Sequence, residues 1–509
     1  MKWVAFSVLV LSLAPAGMRW LRVAQREHYL AGSVLRFARR WWSVRPDNVA
    51  LAVVGLVGLV LSAWWPLAAL ATAAVVIVGP LGLSPKGRTS SLVLTRRLKT
   101  LAAVWLVLQL VVLVLGIVAG APALFAALGG LLAPALVDAA LFVTAPYEDR
   151  LAGAFVRKAA TRLGEVAPAV VAVTGSYGKT STKNHVAHLV GGARRVVATP
   201  ASFNNRAGLA RAVNENLAPG TEVFVAEMGT YGPGEIAELC RWCPPTISVI
   251  TAIGPVHLER FGSLERIVEA KSEIVDGACA VVLNVDDPLL AALAGRLEGS
   301  GTRVVRAGSE SPSADVRVSQ VGERLVVSVR GVDVGGEVEV GPGVRATNLA
   351  CAVAVALELG IACEQLAPRL ASLPAVPNRL TAGRAPSGTI VLDDTYNANP
   401  AGTRAALGAL GDLSAPGRRV VVTPGMVELG PRQGEENERF AAAAAGVATD
   451  LVIVGRTNRR QLVRGWDSVS GHGPLELVDT REGAVAWVRR HLGQGDAVLY
   501  ENDLPDHYP

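Results

Sequence analysis

Two stretches of this chain carry no charge. Residues 48–85 and 100–137, 38 residues each, contain no Asp, Glu, Lys or Arg. Crossing a bilayer takes roughly 20 apolar residues, so each run is read as two spans joined by a tight turn. Pro66, behind Trp64 and Trp65, marks the first turn, and residues 116–122 (GIVAGAP) mark the second. The apolar stretch Trp3–Ala16 is a shorter fifth span or, alternatively, a cleaved signal peptide.

The loops set the orientation. Residues 18–47 carry Arg19, Arg22, Arg26, Arg36, Arg39, Arg40 and Arg45, and residues 84–99 carry Lys86, Arg88, Arg96, Arg97 and Lys99. Positive loops stay inside, which places everything after about Tyr147 in the cytoplasm, behind a multi-pass anchor in the plasma membrane. Residues 1–147 hold 13 Lys and Arg against 3 Asp and Glu, so the net +6 of the whole chain describes the anchor. The remainder is slightly acidic, which excludes a nucleic-acid footprint. Asp138 stands alone in the last span along the chain, either functional or at a helix end or water-filled gap. Trp41 and Trp42 are read as interfacial anchors. Five cysteines make no disulfide framework, and Cys240 and Cys243 form a CxxC without a second pair.

From Pro168 the pattern changes. Val170–Val173, Val223–Ala226, Ile247–Thr251 and Ala280–Leu283 are unbroken apolar runs separated by helical stretches, the signature of parallel strands buried on both faces. That makes an α/β domain, whose ligands gather beyond the carboxyl ends of the strands. The first run is followed by Thr174–Thr182, TGSYGKTST. Gly175 and Gly178 let backbone wrap a phosphate, Lys179 brings positive charge, and Thr180 or Ser181 offers a hydroxyl to Mg²⁺ at a helix N-terminus. The second run ends in Glu227, a carboxylate suited to Mg²⁺. The third leads to His257 and the fourth to Asn284, Asp286 and Asp287. Each alone reads as a turn or cap; together they read as a nucleotide–metal site. Residues 301–340 read as hairpins appended to this domain. From about Ala375 a second, smaller α/β domain follows, with strands at Thr389–Leu392, Arg419–Thr423, Leu451–Val454 and Ala497–Tyr500.

VTGSYGKTSTK, FNNRAG (203–208), VAEMG, ITAIGPVHLERFGS, EAKSEI (269–274), LNVDDP, VPNRL (376–380), LDDTYNANP (392–400) and GMVELG (425–430) stand in one order. This set resembles the Mur ligases of peptidoglycan synthesis over roughly residues 165–460, closest to the MurF type, the UDP-N-acetylmuramoyl-tripeptide–D-alanyl-D-alanine ligases. The resemblance implies a P-loop ATPase domain (148–374) and a Rossmann-like C-terminal domain (375–509) behind an anchor of about five helices (1–147). It implies an ATP- and Mg²⁺-dependent carbon–nitrogen ligase acting through an acyl phosphate. Gly175, Ser176, Gly178, Lys179, Thr180, Ser181, Asn284, Asn348, Arg379 and Asp394 would then hold ATP. Thr180, Glu227, His257 and a carbamylated Lys271 would hold metal, with Lys179, Glu227, His257 and Lys271 carrying catalysis. Asn204, Asn205, Tyr396, Asn397 and Asn399 would face the substrates.

Four departures bear on substrate. The P-loop follows the last span by about 25 residues, leaving no room for the family's UDP-binding domain. Val344-Arg345 replaces an expected His-Asn pair, Asn437 replaces a usual histidine, and LYENDLPDHYP replaces the usual Lys-Gly-Ser ending. The expectation is a ligase whose acceptor is a peptidoglycan or other envelope precursor, lipid-linked in place of UDP-linked, and whose donor is an amino acid or dipeptide. The rival readings are a membrane-bound polyglutamate-type ligase, a P-loop transport ATPase and a non-catalytic cell-wall scaffold.

Overall fold

The computed structural model describes residues 2–85, 92–200, 203–321, 324–339, 344–374, 381–395, 398–504 and 508. It divides into two compact units. One comprises Met1–Leu151 with Gly455–Thr457 and Leu504–Pro509, the other Ala152–Val454 with Asn458–Asp503.

The first unit is helical and departs from the five-span expectation. Among the described residues, two helices are long and apolar enough to cross a membrane: Lys2–Arg26 and Arg96–Val118. Two bent pairs, Ser33–Val44 with Pro46–Leu61 (109°) and Pro122–Leu131 with Ala133–Val166 (72°), bring the total to four if each pair is one span. The run 48–85 does not form two full crossings. The turn before Pro66 and the break at Gly79-Pro80 leave helices of 16 and 10 residues, about 24 and 15 Å long at 1.5 Å per residue. The segment Trp3–Ala16 is instead the first part of a 25-residue helix.

That helix continues through two arginines that had been assigned to a loop, because each finds backbone acceptors. The Arg19 guanidinium donates to the carbonyls of Val76 (2.9 Å), Gly79 (3.0 Å) and Leu83 (3.2 Å), and also to that of Ile77. It thereby satisfies the orphan carbonyls at the end of the helix Ala69–Val78. Arg22 donates to Ser84 O at 3.0 Å. Asp138 accepts from the amides of Gly32 (2.9 Å), Val34 (3.3 Å) and Leu35 (2.8 Å), so it caps the start of Ser33–Val44, where exposed N–H groups favour an anion. Lys86 and Arg88 lie outside the described residues.

In the second unit, β1 (Ala169–Thr174), β2 (Val196–Ala198), β3 (Val223–Glu227), β4 (Ile247–Ile250), β5 (Ala280–Asn284), β6 (Val304–Gly308), β7 (Val316–Val321), β8 (Arg324–Val329) and β9 (Val332–Glu339) form one sheet in the order β2-β3-β1-β4-β5-β6-β7-β8-β9. β1 to β7 pair in parallel, and β8 and β9 add antiparallel strands. The expected hairpins therefore extend the central sheet. Both faces are covered: residues 348–356 of the helix Ala346–Glu358 are wholly buried on one side, and Leu209, Val213, Ile236 and Leu290 pack on the other. Burial on both faces is why these strands lack alternation.

The C-terminal sheet comprises β10 (Thr381–Arg384), β11 (Ile390–Asp394), β12 (Arg419–Thr423), β13 (Asp450–Val454), β14 (Leu475–Val478) and β15 (Ala497–Glu501), ordered β10-β11-β15-β12-β13-β14. β10 and β14 were not expected from the sequence. β10 is too short and polar (TAGR), and β14 has partly exposed residues throughout.

Candidate functional site

Strand order reverses at β1, flanked by β3 on one side and β4 on the other. A crevice opens at such a switch point, and the loop 175–178 lies there, between β1 and the helix Lys179–Val190. Two glycines are obligatory in it. Gly175 has φ +149°, and a Cβ there would lie 2.1 Å from Thr251 Oγ1; Gly178 has φ +81°, and its Cβ would lie 2.2 Å from Asn348 Oδ1. The Asn348 side chain thus buttresses the loop. Ser176 exchanges hydrogen bonds with Gly254, its Oγ donating to the carbonyl (3.1 Å) and accepting from the amide (3.0 Å). Its hydroxyl therefore ties the loop to the segment after β4. Lys179 Nζ donates to Gly175 O at 2.6 Å, and Ser181 is buried.

β3 runs beside β1 with Val173 opposite Glu227, which sets that carboxylate next to the loop. Thr180 Oγ1 donates to Glu227 Oε2 (2.9 Å) and Asn204 Nδ2 to Oε1 (3.1 Å). Asn205 caps the helix Arg206–Asn216 by accepting from Gly208 N at 2.9 Å. A cleft of about 470 Å³, open to solvent, is lined by Gly175, Lys179, Asn204, Asn205, Tyr231, His257 and Lys271. Residues separated by up to 96 positions are thereby gathered around one volume.

Lys271 is 5% exposed. Burial, and then the charge of Lys179, holds its amine well below the usual lysine range, because a desolvated ammonium is disfavoured. His257 has φ +58° and its Nδ1 meets Glu428 Oε2; Glu428 itself has φ +64°. Two non-glycine residues in left-handed backbone, one from each α/β domain, are the kind of local strain that functional sites retain. Arg260 sits 3.8 Å from Glu428 Oε1 and stacks over Tyr231, whose ring edge meets His257 at 4.9 Å. The sequence reading passed over Glu428, Arg260 and Tyr231. Glu428 lay in plain view inside GMVELG, but its reach across the domain junction is not a local property.

Other expected site residues serve the scaffold as well. Asn284 Nδ2 donates to Thr251 O (2.9 Å) and its Oδ1 accepts from Asp286 N (3.2 Å). Asp286 accepts from the amides of Ser309 and Ser311, and Asp287 from those of Ile253 and Leu289. Asn399 caps the helix Pro400–Asp412 through Gly402 N at 2.8 Å. Asp394 ends β11 opposite Glu501 of β15. Arg379, Tyr396 and Asn397 lie outside the described residues. Cys240 and Cys243 are buried, and burial pushes the Cys240 thiol up to about 12 and the Cys243 thiol higher still. That is the reverse of a reactive pair.

The donors suit a hard cation. Thr180 Oγ1 and a nearly buried Glu227 carboxylate supply oxygen, and no group of three or more His, Cys, Asp or Glu stands ready as a metal cage among the described residues. Mg²⁺ is ordinarily held by one or two carboxylates, a hydroxyl and substrate phosphates. Comparison with known proteins agrees. The Mur ligase middle domain matches residues 173–356 and the Mur ligase glutamate ligase domain matches residues 378–500. A UDP-N-acetylmuramoyl-tripeptide–D-alanyl-D-alanine ligase of Mycobacterium tuberculosis is 34% identical over 362 residues, 65% of this chain and 69% of that protein. The chain is a Mur ligase.

A further relative of the same name, from Bacillus subtilis, is 33% identical over 60% of this chain and 65% of its own. A MurF ligase of Thermotoga maritima, solved with ADP, superposes at TM-score 0.59 with 28% identity over 69% of this chain and 80% of that one. A MurF of Acinetobacter baumannii shares the fold at TM-score 0.60 and 23% identity, covering 69% and 77%. Like its family, this Mur ligase is an ATP-dependent enzyme that forms amide bonds and uses Mg²⁺.

Proposed function

We propose that this Mur ligase joins D-alanyl-D-alanine, or a related amine, to the peptide carboxylate of a muramoyl-type envelope precursor, and that it does so at the cytoplasmic face of a membrane on a lipid-linked acceptor. The amine and the muramoyl peptide follow the activity for which the relatives are named. The observation that carries the lipid-linked reading is the helical unit ahead of the catalytic domains, with bare apolar surface on its helices. Val53, Val54, Leu56, Val57 and Val60 of one helix and Leu106, Val107, Leu110, Val111 and Val114 of another are exposed, a surface that hydrocarbon would cover.

In the reaction, a carboxylate oxygen of the acceptor attacks the γ-phosphorus of ATP and ADP leaves. The amine then attacks the acyl-phosphate carbonyl, phosphate leaves, and the amine loses a proton. Thr180 and Glu227 would hold Mg²⁺, with His257 at a second position, and the cation would neutralise the negative charge of the phosphates. Lys179 contributes a fixed cation where negative charge grows, worth most in a cleft with little water. The loop 175–178 and the helix N-terminus behind it orient the phosphates. By motif match Asn348, Asn284, Arg379 and Asp394 would make up the nucleotide set, and Asn204, Asn205, Tyr396, Asn397 and Asn399 the acceptor and amine set. Burial lowers the proton affinity of the Lys271 amine and so favours the free electron pair that takes up CO₂ as a carbamate, with loss of a proton, turning a cation into an anion. The contact of Glu428 with His257 joins the two α/β domains beside the cleft.

The test is ADP release by detergent-solubilised enzyme, screened against lipid-linked and UDP-linked muramoyl peptides with a panel of amino acids and dipeptides. Turnover that requires the lipid-linked acceptor supports the reading. Turnover of soluble UDP-tripeptide and D-alanyl-D-alanine at an ordinary ligase rate refutes it.

A further inference from the structure

The helix that follows the phosphate loop carries two lysines four residues apart, Lys179 and Lys183. At that spacing they lie on one face, one turn apart, yet their surroundings differ. Lys179 lines the cleft. Lys183 does not: only 2% of it is exposed, and its ammonium donates to the carbonyl of Thr199 at 2.8 Å and stands 3.5 Å from Glu227 Oε2. A phosphate in the cleft has no path to it. Thr199, just past β2, also accepts from the backbone amide of Glu227 through its hydroxyl (3.1 Å). Three separate chain segments thus converge on Glu227. Thr180 and Asn204 hold its two oxygens from the cleft side, and Lys183 and Thr199 hold it from the core side.

Glu227 is 1% exposed, and a carboxylate taken that far from water is held in place by the donors and countercharge that meet it. In the absence of a divalent cation, neither Thr180 nor Asn204 brings charge. We propose that Lys183 is a positioning residue for the magnesium site: its buried ammonium, anchored on Thr199 O and 3.5 Å from Glu227 Oε2, holds the carboxylate aimed at Thr180, so that the cation meets a preformed ligand pair. This rests on the nucleotide–magnesium reading of the cleft given above. Lys183 touches neither nucleotide nor metal in this role; it acts through Glu227, as groups behind metal ligands commonly do.

The experiment titrates ADP into the full-length protein in detergent by calorimetry, once in EDTA and once across a range of MgCl₂. The variants are Lys183→Gln, which keeps a donor for Thr199 O but removes the charge, and Lys183→Met. Loss of a group supporting a metal ligand commonly costs ~10- to 100-fold in metal affinity. The half-saturating Mg²⁺ concentration should therefore rise at least about tenfold, while ADP affinity in EDTA changes by less than about twofold. A merely structural role for Lys183 would move both titrations together. A folded Lys183→Gln whose Mg²⁺ dependence matches the wild type overturns the proposal.

If the single variants fold poorly, the double variant Lys183→Gln/Glu227→Gln decides. Removing both charges should restore a thermal transition lost with one, and a double variant no more stable than the single overturns the proposal. Lys179→Ala serves as the separate control. Undiminished ADP binding by that variant overturns the nucleotide reading itself, whatever Lys183 does.

Discussion

Asn437 is buried in the helix Gln433–Ala445, and its amide is fully engaged. Its Oδ1 accepts from Met426 N at 2.8 Å, and its Nδ2 donates to Met426 O at 3.0 Å and to Gln433 O at 2.7 Å. Met426 stands two residues before Glu428, so this one side chain pins the loop that delivers Glu428 to His257. Asn437→Ala removes three hydrogen bonds, worth about 1 kcal/mol net each. Met426 O retains Asn458 Nδ2 at 3.0 Å, which offsets part of the loss. Among the three former partners, the Met426 amide suffers most, since its acceptor is gone and leaving a buried N–H unmatched costs about 1–3 kcal/mol. Together these give about 2–4 kcal/mol, or roughly 30- to 1,000-fold more frequent opening of the loop at 1.4 kcal/mol per decade.

A global melting temperature does not isolate the opening of one loop in a chain with several domains. Amide hydrogen exchange of residues 424–430 reads the local opening directly. The variant should lose protection there by that factor and lose turnover, while its affinity for Mg-ADP, whose phosphate loop and magnesium ligands lie in the central domain away from residues 424–430, stays within about twofold of the wild type by the same separation of sites. Unchanged protection at 424–430 would refute the pinning role. Lost protection with undiminished turnover would refute the link from the loop to catalysis.

Gly178→Ala forces a Cβ to within 2.2 Å of Asn348 Oδ1 at φ +81°; ADP affinity measured by calorimetry should fall by an order of magnitude or more, since the loop must shift or strain. Glu501, wholly buried with both carboxylate oxygens lacking a hydrogen-bond partner, is held well above the usual carboxylate range by burial and then by Asp394. The folded protein thus binds this proton more tightly than the unfolded chain. Stability falls as pH rises past the unfolded value near 4.5 and does not recover above it. Glu501→Gln should raise the melting temperature at pH 7.5 and change it little at pH 4.5; equal effects at both would contradict the assignment. In the folded protein, iodoacetamide at pH 8 should modify exposed Cys279 and spare buried Cys240, Cys243 and Cys351, as peptide mass mapping would show.

Much of the catalytic unit was legible because its chemistry is local. A buried strand, a glycine turn and a Lys-Thr at a helix start dictate a phosphate loop from consecutive residues, and β1, β3, β4 and β5 lie within a residue or two of the apolar runs that announced them. Glu227, His257 and Lys271 were marked by their motifs; His257 and Lys271 line the cleft, and Glu227 lies buried beside it, bonded to Thr180 and Asn204. The membrane-type unit was less legible. Hydropathy reports that a segment avoids water, not whether it crosses a bilayer or folds back, and the buried Arg19 and Asp138 are tolerated only because distant backbone groups meet them. The same holds for Lys183, Asn437 and Glu428. One-dimensional order settled which residues could bind phosphate and metal, since those capacities belong to side chains and short backbone turns. Which of them face the cleft, and which instead brace Glu227 or carry Glu428 across the domain junction, was decided by tertiary packing, because burial and countercharge are properties of neighbours that sequence places far apart.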